Sequence, residues 1–119
     1  AVLDFKRTGI QNGIYRNLRL GKYTIEARLD LHHMTVEVAR RAVYQFVNDC
    51  VENDIRCALI THGKGEHRLP QPARLKSCIA HWLPQLDAVQ AFHSAQKQHG
   101  GSGATYVMLR KRLDNRERY

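Results

Sequence analysis

The sequence predicts an α/β domain: a two-layer sandwich in the order β-α-β-α-β-β, whose mixed four-stranded sheet is covered on one face by two helices. Three observations carry this. A strictly alternating run at 24 to 32 gives way to helical spacing at 36 to 50. A second strand-then-helix pair repeats that pattern, and two closing strands are joined by a glycine-rich connection. Strands that alternate, with helices apolar on one side only, suit a sheet whose second face is partly open.

The elements follow in order. TIEARLDLH (24 to 32) places Ile25, Ala27, Leu29 and Leu31 on one face and Thr24, Glu26, Arg28, Asp30 and His32 on the other. Thr35 then offers a helix cap with Glu37 in the first turn, and Val36, Ala39, Val43, Phe46, Val47 and Cys50 make an apolar stripe. IRCALITH (55 to 62) is the second strand. HGKGEHRLPQP (62 to 72) is a loop, because two glycines and two prolines oppose regular structure. The next helix starts near Pro72, carries Leu75, Cys78, Ile79 and Trp82 at helical spacing, and ends by Pro84. VQAFHSA (89 to 95) and ATYVMLR (104 to 110) are the last strands, joined through QKQHGGSG.

The chain of 119 residues fits one domain. Residues 1 to 23 are a basic extension packing on or flanking it, and 112 to 119 a charged tail. Lys and Arg number 19 against 11 Asp and Glu, a net charge of +8 that favours a polyanionic partner, DNA or RNA, over an acidic membrane surface. No apolar run approaches the ~20 residues of a membrane span. Cys50, Cys57 and Cys78 form no CxxC pair and lie on apolar stripes, as buried thiols of a reducing compartment do. A cytoplasmic monomer is expected.

Right-handed β-α-β connections make the first three strands parallel, so their carboxyl ends share one edge, where open α/β sheets bind ligands. Asp30 and His32 end the first strand on one face, His62 ends the second, and GGSG (100 to 103) follows the third. For phosphodiester cleavage, His32 would serve as general base or acid, with Asp30 orienting it or holding a metal, and His62 as a second proton-transfer group. Such a pair also caps helices or bonds locally. In HGKG the glycines Gly63 and Gly65 let backbone approach an anion and Lys64 adds charge, while the loop lacks the Walker A spacing of nucleotide hydrolases. His67 and Arg68 extend it toward backbone phosphates or solvent. No paired Cys/His spacing indicates structural zinc, and a weakly held Mg²⁺ or Mn²⁺ at Asp30 and substrate phosphate is the metal this edge would take.

DLHHMT (30 to 35), ITHGKGEH (60 to 67), LKSCIAHWL (75 to 83) and HGGSGATYVMLRK (99 to 111) together resemble the Smr (small MutS-related) domain family in motif and order, most of all its stand-alone bacterial DNA-endonuclease members, over residues 24 to 111. The resemblance implies a fold similar to the C-terminal domain of translation initiation factor three and endonuclease activity on DNA or RNA. It aligns Asp30 and His32 with the family's DxH element, His62, Gly63, Lys64 and Gly65 with its HGxG element, and Gly100, Gly101 and Gly103 with its glycine turn. His33 stands where the family has glycine. The competing expectation is a non-catalytic module that binds nucleic acid or the ribosome; a weaker third is a protein-interaction adaptor.

Overall fold

The computed structural model describes residues 2–64 and 70–113. Its elements are β1 (Asp4–Lys6), α1 (Asn12–Arg19), β2 (Ala27–Asp30), α2 (Val36–Glu52), β3 (Cys57–Thr61), α3 (Pro70–Trp82), β4 (Val89–Ser94) and β5 (Ala104–Leu109), with short 3-10 turns at Leu83–Gln85, Lys97–His99 and Gly101–Gly103. The sheet has five strands in the order β1-β4-β5-β3-β2. β2 and β3 are parallel, and the other three pairings are antiparallel. Because β5 lies antiparallel between β3 and β4, the strands β2, β3 and β4 all run the same way, as crossover connections through α2 and α3 give.

The helix-forming signals act as local chemistry predicts. Thr35 caps α2, its hydroxyl accepting the Val38 N–H at 3.2 Å. Ala39, Val43, Val47 and Cys50 of α2 join Leu75, Ile79 and Trp82 of α3 in one core with Ala58, Ile60, Phe92, Val107 and Leu109 of the sheet. α3 begins at Pro70, two residues before the expected start, and ends at Trp82, just ahead of Pro84.

The α/β class and the two helices on one face hold, but the sheet has a fifth strand and its second face carries a helix. Both come from the basic extension. Leu18 of α1 packs with Leu59, Ala91, Ala104, Tyr106 and Met108 beneath the sheet, so β5 is buried on both sides. β1 pairs with β4, and Phe5 stacks on Phe92 with ring centroids 5.2 Å apart. The Arg7 guanidinium donates to the carbonyls of Val89, Pro84 and Leu86 at 2.9, 3.1 and 3.2 Å, tying the extension to the turn before β4. The second face stays open at β2, where Arg28 and Asp30 are exposed.

Candidate active site at the carboxyl edge of the sheet

Strand register brings the expected segments together. Asp30 of β2 lies opposite Thr61 of β3, which lies opposite Ala104 of β5, so the end of DLH, the end of ITH and the glycine turn are neighbours on one edge.

At the end of β2 the chain reverses in a turn closed by the Met34 N–H on the Leu31 carbonyl at 3.0 Å. His33, third residue of that turn, has φ +65, while His32 has a negative φ, the pattern of a type II turn. The turn is made here by a histidine in the left-handed region, at a cost of about 1–2 kcal/mol. Asp30 Oδ1 accepts the His32 backbone N–H at 2.8 Å, so the carboxylate holds the backbone of His32 and not its ring. The His32 and His33 rings lie 3.7 Å apart between centroids, and both are exposed.

At the end of β3 the arrangement is the reverse, buried and fully bonded. The N–H groups of His62 and Gly63 both donate to the Gly103 carbonyl, at 2.9 and 3.0 Å. A Cβ on Gly103 would sit 3.1 Å from Lys64 Cγ and 3.4 Å from backbone atoms of Gly63 and Lys64, so a residue without a side chain permits this approach. His62 is 3 % exposed. Its Nδ1 lies 2.8 Å from the Gly63 carbonyl, which can only accept, so Nδ1 carries a proton; Nε2 of the neutral ring accepts from the Thr105 hydroxyl at 2.8 Å. Burial holds the His62 pKa below its usual value of 6.5; the Gly63 bond opposes the shift and the positive charge of Lys76 adds to it. Both ring nitrogens are thus occupied, which leaves neither open to a substrate. Lys64 is exposed beside it.

The glycine turn is held from below. Gly100 and Gly101 take positive φ, +112 and +56. The buried Tyr106 hydroxyl accepts the Gln96 N–H at 3.1 Å and pairs with Nδ1 of His99, and the Gln96 carbonyl accepts the N–H groups of His99 and Gly101. Tyr106, Thr105, Gln96 and His99 carried no site signal in the sequence. Their function is to satisfy polar groups on a strand that only tertiary packing buries on both faces. Gly65, His67 and Arg68 lie outside the described residues.

Among the described residues no three His, Cys, Asp or Glu side chains are grouped to hold a metal ion. Asp30 accepts the His32 N–H through Oδ1, so among the described residues Oδ2 is the carboxylate oxygen left at this edge, and a divalent ion there would draw its remaining ligands from water and substrate phosphate. Cys50 and Cys57 are buried, and burial pushes each thiol up to about 11, which removes them as nucleophiles. No helix among the described residues is long and apolar enough to cross a membrane.

A mixed sheet with an Asp-x-His turn, a His-Gly loop and a glycine turn along one edge defines an Smr domain. The Smr domain model matches residues 29–110, and the chain belongs to that family. It is 42% identical over 109 residues to the probable DNA endonuclease SmrA of Escherichia coli K12, covering 92% of this chain and 58% of that protein. It is 38% identical over 105 residues to the ribosome rescue factor SmrB of Vibrio campbellii, covering 88% of this chain and 56% of the relative. The chain therefore spans less than two thirds of either protein. Its structure superposes on that of YdaL, a stand-alone small MutS-related protein from Escherichia coli, with a TM-score of 0.84, 41% identity, and coverage of 93% of this chain and 85% of the other.

Proposed function

We propose that this domain is an endonuclease that cleaves phosphodiester bonds at the β2–β3–β5 edge. The observation that carries the reading is the contrast between the two histidines: His32 is exposed on a fixed turn, and His62 is buried with both nitrogens bonded. His32 is the proton-transfer group, since only an accessible imidazole can exchange protons with a bound substrate. Asp30 positions it by holding its backbone. His62 is a positioning residue that clamps the His-Gly loop to the glycine turn, so that Lys64 and the loop backbone face the phosphate. The net charge of +8 supplies the attraction for a polyanion, and one relative is named a probable DNA endonuclease.

In the preferred chemistry His32 takes the proton of the attacking oxygen as that oxygen bonds to phosphorus, the bond to the departing 5′ oxygen breaks, and that oxygen takes up a proton from water. On RNA the attacking group is the neighbouring 2′-hydroxyl, leaving a 2′,3′-cyclic phosphate and a 5′-hydroxyl. The test compares wild type and His32→Ala on a structured RNA, its copy deoxy-substituted at the cut site, and supercoiled DNA, each with and without EDTA. A fall of ~10²–10⁴-fold in His32→Ala, with affinity retained, is expected. Equal cleavage by both proteins overturns the assignment. Cyclic-phosphate ends that survive EDTA and vanish on deoxy substitution establish the preferred chemistry; equal, EDTA-sensitive cutting of RNA and deoxy copy overturns it in favour of metal-assisted hydrolysis at Asp30.

Relatives named ribosome rescue factors favour a second reading, in which the same edge serves as a ribosome-associated RNA site. Cosedimentation of the protein with purified ribosomes at moderate salt tests it, and recovery only in the unbound fraction removes it.

A further inference from the structure

The basic extension lies outside the family match at 29–110, and it does more than cover the sheet. From Phe5 to Ile25 the chain carries Lys6, Arg7, Arg16, Arg19 and Lys22 and no Asp or Glu. Arg7 is spent on three carbonyls. The others are exposed, and Lys6 reaches Asn12 Oδ1 at 2.5 Å. Asn12, Gly13, Tyr15, Arg16 and Arg19 line an open groove of about 540 Å³ along the outer side of α1. Arg16 and Arg19 are three residues apart, hence about 4.5 Å along the axis and on one side of the helix. Neither forms an ion pair with any described residue. Asp4 does act electrostatically on Tyr15.

This groove is joined to the candidate site. Gln96, two residues beyond the carboxyl end of β4, donates its side-chain Nε2–H to the carbonyl of Arg19 at 2.7 Å, while its main chain holds His99, Gly101 and the Tyr106 hydroxyl. Just after the helix, Gly21 adopts φ +71, and a Cβ there would lie 2.7 Å from Tyr106 Oη, so the backbone comes against the same hydroxyl that supports the glycine turn. The carboxyl end of α1 therefore meets the strand edge at the glycine turn, and Lys97, next to Gln96 in the chain, is exposed. Two exposed guanidinium groups aligned along a groove, in a segment free of acidic residues, complement a row of phosphates.

We propose that the outer face of α1, through Arg16 and Arg19, is a second nucleic-acid backbone site that continues the strand-edge site past the glycine turn and holds the part of the substrate flanking the scissile bond. The inference rests on the endonuclease reading. The test measures affinity of the whole chain for a DNA duplex of about 30 base pairs and for an RNA hairpin of matched length, each longer than the molecule's 52 Å extent, across a series of salt concentrations. Wild type is compared with Arg16→Gln/Arg19→Gln and with Arg40→Gln/Arg41→Gln, the latter pair exposed on α2 across the sheet. Losing two phosphate contacts lowers the slope of log affinity against log salt by about 1.8 on duplex, at ~0.9 per contact. The expected result is that loss for the α1 pair and a wild-type slope for the α2 pair. A wild-type slope in the α1 pair overturns the inference and leaves the endonuclease reading standing. Equal loss in both pairs also overturns it, since total charge alone then sets affinity. A wild type that binds neither nucleic acid at low salt removes the endonuclease reading, and the inference with it.

Discussion

Replacing Thr105 by Val tests the clamp under the His-Gly loop. Thr105 is 0% exposed on the central strand β5, and its hydroxyl is the donor to His62 Nε2 at 2.8 Å. Valine keeps the volume and the β-branched shape, so packing against Ile60 and Ser94 on the neighbouring strands and the strand conformation persist. What is lost is one hydrogen bond, with an acceptor nitrogen left unpaired in a ring that is 3% exposed. An unsatisfied buried group of this kind costs about 1–3 kcal/mol. At roughly 4 °C per kcal/mol for a domain of this size, Tm falls by about 4–12 °C. Urea titration followed by circular dichroism should show a lower midpoint at unchanged slope. Affinity for nucleic acid should weaken with it, because the loop carrying Lys64 is released. Thr105→Ser keeps the hydroxyl, loses only a methyl group at about 1 kcal/mol, and should retain affinity. A Thr105→Val midpoint equal to wild type would refute the reasoning, since His62 would then not depend on Thr105.

Two further outcomes follow from the same edge. Burial lowers the folded-state pKa of His62 below 6.5, so between the two values the unfolded chain binds more protons than the folded one. That contribution to stability is present above about pH 6.5 and is lost as pH falls through the window beneath, with a limiting slope of about 1.4 kcal/mol per pH unit; urea midpoints at pH 7.5 and 5.5 for wild type and His62→Gln should differ in slope, and identical slopes would exclude His62 as the source. His33→Gly puts glycine at φ +65 and should stabilise the fold by about 0.5–1 kcal/mol, the relieved strain less the extra chain entropy of glycine; a loss of stability would show that the ring contact with His32 outweighs the strained backbone.

The sequence alone determined the elements whose pattern is local. The Thr35 cap and the stripes of α2 and α3 are set by periodicity and hydrogen-bond chemistry within a few residues and lie in the structure where those rules put them, whereas the alternating run at 24 to 32 forms a strand only over Ala27–Asp30, with Leu31 and His32 in the turn beyond it. The order of motifs also placed Asp30, His62 and the glycine turn on one edge, because strands joined by helical crossovers run the same way and end together. Tertiary structure decided the rest. β1 is three residues long and exists only by pairing with β4, and α1, at eight residues, is too short to be stable except against the sheet through Leu18. The different environments of His32 and His62 were likewise hidden: both stand in the same sort of strand-ending motif. Which one is buried depends on whether Thr105, over forty residues away, lies across from it, and sequence spacing does not encode that distance in space.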